Sequence, residues 1–106
     1  MKLIAQGDVL IVKVDTVPRK AKRIAAKQGR LILAEGEATG HSHSIAATED
    51  VELMAVADQV DLWLRVRSRS VQVEHQEHGT ITLEPGDYRV VRQREYQPDQ
   101  IRRVAD

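Results

Sequence analysis

The chain has 106 residues, with 16 Lys+Arg against 16 Asp+Glu and a formal net charge of zero, which argues against a strongly basic nucleic-acid binder or an acidic tail protein. Apolar residues make up 42%, too many for a fully disordered polymer. The absence of Cys excludes disulfides, thiolate metal sites and Cys nucleophiles, and with no Phe, one Trp and two Tyr the core must rest on Val, Leu, Ile and Ala.

In chain order, Met1 to Asp8 holds no signal-peptide apolar region, because Gly7-Asp8 interrupts it. No run approaches the ~18 apolar residues of a membrane span, so a cytoplasmic protein without membrane contact is expected. Period-two alternation then dominates, and it predicts strands. Leu10, Val12 and Val14 alternate with Val9, Ile11 and Lys13. Residues 16–29 break the pattern and read as a basic loop or one short helix, with Pro18 and Gly29 suiting its ends. Strand patterns resume at Leu31 to Ala34, Val51 to Val56, Asp61 to Arg67, Val71 to Gln76 and Thr80 to Glu84. Asp87 to Tyr96 reads as a last strand after a Pro85-Gly86 turn. Residues 97–106 form a C-terminal tail. The expectation is one all-β domain over residues 1–106, a small barrel or double-sheet roll of seven to eight short, mostly antiparallel strands.

Two hairpins are fixed by pairing arithmetic. Centring a turn on Asp58-Gln59 sets Val51 against Val66, Leu53 against Leu64 and Ala55 against Leu62 on one face. The other face pairs Asp50 with Arg67, Glu52 with Arg65 and Met54 with Trp63, so every pair is complementary. A three-residue loop Glu77-His78-Gly79 sets Val73 against Leu83 and His75 against Ile81, with Gly79 left-handed.

Charge is segregated. Residues 16–30 carry six cations (Arg19, Lys20, Lys22, Arg23, Lys27, Arg30) and no acid, whereas residues 31–64 carry seven acids and no Lys or Arg. The two segments either attract each other across the fold or leave the basic one to contact an anionic partner. Arg65, Arg67 and Arg69 on one strand face, and Arg92 and Arg94 on another, read as salt-paired sheet rather than phosphate contacts. Met54 and Trp63 form an apolar spot that would serve an oligomer interface if exposed and core if covered.

All four histidines fall in two clusters, Gly40-His41-Ser42-His43-Ser44 and Glu74-His75-Gln76-Glu77-His78. On a strand, His-x-His puts both imidazoles on one face, which suits two ligands of one ion. Neutral imidazoles bind Zn, Ni, Fe or Cu, and Glu37, Glu74 and Glu77 are candidates for a further ligand or an outer partner. If the clusters meet, three ligands plus water make an open site and four a closed one. Hydrolysis and small-molecule oxygen chemistry both stay open, as does a role as a non-catalytic binding or assembly module forming homo-oligomers.

Gly36, His41, His43, Glu49 and the later Gly79 to Pro85-Gly86 segment resemble the single-domain cupins. That resemblance implies that His41 and His43 are metal ligands. In the cupin pattern another His follows the Pro-Gly; here His75 and His78 precede it. The stretches Gly36 to His43 and His75 to Tyr96 are also similar to a group of small uncharacterised bacterial β proteins. This second likeness covers most of the chain and implies no particular chemistry.

Overall fold

A computed structural model of the chain describes residues 3–35 and 41–92. The described residues form ten strands and no helix. They are β1 (Leu3–Gln6), β2 (Val9–Val14), β3 (Lys22–Arg23), β4 (Arg30–Glu35), β5 (Ser42–Ala46), β6 (Val51–Ala55), β7 (Leu62–Val66), β8 (Val71–Glu74), β9 (Ile81–Leu83) and β10 (Gly86–Arg92). Two antiparallel sheets result, one ordered β1-β2-β10-β7-β6-β3 and the other β4-β5-β8-β9. The all-β expectation holds. The strand count is higher than expected, and among the described residues the two sheets do not close into a barrel.

One core serves both sheets. Val9, Ile11, Leu53, Leu64, Tyr88 and Val90 from the larger sheet cluster with Leu31, Leu33, Ile45, Val73 and Leu83 from the smaller. Alternation dictates this, because β-branched and leucine side chains on one face of each strand have no apolar cover except the opposite sheet. Tyr88, the largest fully buried side chain, satisfies its hydroxyl by donating to Glu84 O at 2.6 Å.

The β6–β7 register is the one the sequence predicts: Val51↔Val66, Glu52↔Arg65, Leu53↔Leu64, Met54↔Trp63 and Ala55↔Leu62. The ion pairs run diagonally or to the next strand instead of straight across. Arg67 reaches Glu52 at 2.9 Å, and Arg65 reaches Asp87 of β10 at 3.3 Å. Arginine side chains long enough to span diagonal neighbours permit this.

The β8–β9 hairpin differs from expectation by two residues: Val71 pairs with Leu83 and Val73 with Ile81. An even shift keeps each residue on its expected face. It also widens the loop to residues 75–80, and Gly79 takes no positive φ. The cause lies far away in sequence. The Gln6 side-chain amide donates to Val73 O at 3.0 Å and to Gly79 O at 2.8 Å, across the neck of this loop, where a tighter hairpin would pair the strands directly.

Residues 16–29 contain no helix. Lys27 and Arg30 exchange both backbone hydrogen bonds (2.8 and 3.0 Å) around Gln28 (φ 51°) and Gly29 (φ 78°). Two positive central φ values define a type I′ hairpin, so Gly29 serves a turn and not a helix end. The stretch Gln93 to Tyr96 of the predicted last strand, and the tail 97–106, lie outside the described residues.

Candidate functional site

The four histidines meet. Pairing of β5 with β8 aligns Ser44 with Glu74 and Ile45 with Val73, and one more step of that register sets His43 opposite His75. Their ring centroids are 4.3 Å apart. The wide 75–80 loop then folds His78 back, with its ring 4.7 Å from His75 and 6.0 Å from His43. His41, at the mouth of β5, lies edge-on to His75 at 5.9 Å.

In the neutral rings of His43, His41 and His75 the hydrogen bonds decide which nitrogen carries the proton. Gln6 spends its Nε2 on two carbonyls, so its Oε1 is the atom that faces His43 Nδ1 at 2.8 Å. His43 Nδ1 therefore donates, and its Nε2 carries a lone pair. His41 Nδ1 donates to the Glu77 carboxylate at 2.8 Å, which likewise leaves the lone pair on Nε2. His75 is reversed: its Nδ1 accepts the Glu77 backbone N–H at 3.0 Å, which puts the proton on Nε2.

His43 is 2% exposed. Burial first, then the neighbouring His75, lowers its pKa from 6.5 to about 4, against the opposing pull of Asp8. The pKa of His75 is lowered too, by desolvation foremost and then by His78 and His41. Both shifts favour the neutral, metal-competent imidazole at His43 and His75 near pH 7.

Sequence reasoning missed three residues of this site, all in the β1–β2 hairpin. Gln6 orients His43. Asp8 Oδ1 stands 3.5 Å from His43 Nε2. Gly7 (φ 59°) lies under His78, whose Nε2 is 2.7 Å from the point a Cβ on Gly7 would occupy. A Gly at the first central position of a two-residue loop between Gln6 and Val9 is a type II′ hairpin signal, and the sequence carries it.

Other candidates go elsewhere. Glu74 pairs with Arg30 at 2.6 Å and so leaves the cluster to Glu77; both partners point away from it on the exposed side of the sheet. Glu37 lies outside the described residues. Among the basic residues, Arg23 lies 3.5 Å from Glu52, while Arg19, Lys20, Lys22 and Lys27 are exposed. Met54 is 6% exposed and Trp63 half-buried, so the apolar spot read as an interface is largely covered within the chain. Among the described residues, no three His, Asp or Glu side chains converge tightly enough, as they stand, to hold a metal ion. Nor is any helix there long and apolar enough to cross a membrane.

Residues 5–93 match the family described as Domain of unknown function (DUF8820). The chain belongs to that family. The match spans both histidine clusters and the hairpin that carries Gln6 and Asp8, and it accords with the likeness to small uncharacterised proteins. Neither the fold nor this match supports the cupin resemblance. No significant match exists among curated proteins or among solved structures.

Proposed function

We propose that this DUF8820 domain binds a divalent transition metal through imidazoles of the cluster formed by His41, His43, His75 and His78. The observation that carries the reading is their convergence from two distant stretches of chain, with neighbouring ring centroids (His41–His75, His43–His75, His43–His78 and His75–His78) 4.3 to 6.0 Å apart. Imidazoles that share one tetrahedral ion have centroids about 5 Å apart, given metal–nitrogen bonds near 2.0–2.1 Å. The orienting bonds to His41 and His43 fit the same reading, because metal-bound histidines characteristically donate the distal N–H to a carboxylate or carbonyl oxygen.

The test is elemental analysis of protein purified without an affinity tag. The reading expects about one equivalent of Zn, Ni, Fe or Cu per chain. Less than about a tenth of an equivalent, with no uptake on titration, overturns it.

A second reading, a non-catalytic module that contacts an anionic partner, draws on a groove of about 660 Å³ lined by Lys20, Lys22 and Arg23 against residues 55–59. It expects oligonucleotide or acidic-peptide binding that weakens steeply with salt, together with self-association in sedimentation. A monomer indifferent to both would remove it.

A further inference from the structure

We infer that Asp8 is a metal ligand, joining His43 and His78 in a two-histidine, one-carboxylate site for a tetrahedral Zn(II)-class ion, while His75 stays outside the ligand set. This deepens the proposed function and rests on it.

The first argument is the bite. Two donors bound at about 2.0–2.2 Å to one tetrahedral ion stand about 3.4 Å apart. Asp8 Oδ1 and His43 Nε2 are 3.5 Å apart. That distance is long for a hydrogen bond to a ring N–H. The Nδ1 proton of His43 is committed to Gln6, so Nε2 presents a lone pair to the carboxylate oxygen. Two acceptors held face to face repel each other in the absence of a cation, and a metal ion between them turns that repulsion into coordination.

The second argument is the glycine cradle. His78 Nε2 and His43 Cε1 lie 2.7 and 3.3 Å from the place a Cβ on Gly7 would fill. Any larger residue would push His78 off the turn that carries Asp8. The His78 side chain is exposed, so its ring has room to turn toward the gap between Asp8 and His43.

The third argument removes His75. Its Nδ1 accepts the Glu77 N–H, so in the neutral ring Nε2 carries a proton and offers no lone pair. Coordination by His75 would require breaking that bond or ionising the ring. It serves instead as an N–H donor beside the ion. The Asp8 side chain is 28% exposed against 2% for His43, so the fourth position opens to solvent on the Asp8 side and admits water or an anionic ligand.

The experiment is competition titration of Zn(II) into the untagged full chain and into Asp8→Asn, His43→Gln and His75→Gln, with Co(II) absorption as a second readout. Asp8→Asn is isosteric and suits a turn. The expected result is a loss of more than about 100-fold in Zn(II) affinity for Asp8→Asn and for His43→Gln, and less than about tenfold for His75→Gln. Co(II) should give the intense visible band of a tetrahedral site. Unchanged affinity in Asp8→Asn, beside a large loss in His43→Gln, overturns the ligand assignment and leaves the metal reading standing. No uptake by the wild type overturns both. A weak octahedral Co(II) band overturns the tetrahedral set. A measurement that needs no variant is NMR of the wild type: Zn(II) should shift Asp8 Cγ and the Nε2 resonances of His43 and His78. A Zn(II)-induced shift confined to His41 and His75 would refute the assignment.

Discussion

Acidification offers a direct test of how His43 is buried. In the metal-free protein its pKa is lowered from 6.5 to about 4, chiefly by loss of hydration. An unfolded chain restores the ordinary value. Between about pH 6.5 and 4 the unfolded state therefore binds a proton that the folded state refuses, and stability falls as pH falls. At roughly 1.4 kcal/mol per pH unit, the window is worth about 3 kcal/mol by its lower end. That is a large share of the ~5–15 kcal/mol of a typical domain. Urea unfolding of chelator-treated protein at half-unit pH steps measures it. His43→Gln serves as the reference, because it keeps the titrating carboxylates and removes only the imidazole. The difference between wild type and variant should slope with pH between about 6.5 and 4 and flatten above. Parallel curves for the two proteins would refute the burial argument.

Other outcomes follow from the same geometry. Leu64→Ala, at a site with no exposed area in the shared core, should cost about 2–5 kcal/mol in chemical denaturation with the metal affinity of the survivors unchanged. Gln6→Ala removes two bonds across the neck of the 75–80 loop and the partner of His43 Nδ1, and should lower stability by about 1–3 kcal/mol. It should also speed amide exchange at residues 75–80, and protection equal to wild type would contradict the clamp. Gly7→Ala places a side chain at φ 59° against His78, so a loss of about 1–2 kcal/mol and a displaced His78 ring resonance are expected. If the metal reading holds, Zn(II) at 100 times its dissociation constant should add about 2.7 kcal/mol to unfolding, measurable as a shifted melt.

The β6–β7 hairpin was legible because both of its faces constrain it. Apolar pairs occupy one face and complementary pairs the other, and a one-residue slip ruins both. The β8–β9 hairpin had only one such face, and its loop is set by Gln6, a residue in another sheet that no local rule could weigh. The strand β1 went unread because four residues ending in Gln6 carry little alternation, although the Gly7-Asp8 turn marked the hairpin. Residues 16–29 looked helical at their ends because Pro18 and Gly29 serve turns as readily as helix termini. At the site, the histidines were visible as residue types, and their meeting follows from the β5–β8 pairing, which sequence spacing alone does not specify. Gln6 and Asp8 stayed hidden because an amide and a turn aspartate acquire their roles only through partners more than thirty residues away.

The amide of Gln6 reaches Val73 and Gly79, 67 and 73 residues downstream. Its strand β1 and the β8–β9 hairpin that holds them belong to different sheets. Until residues 73 to 79 have been synthesised the amide lacks the two carbonyls that anchor it, and an unanchored Gln6 cannot aim His43. If the metal reading holds, a nascent chain on the ribosome would lack an aimed His43 with which to capture an ion until most of it had emerged, and loading would come late in maturation.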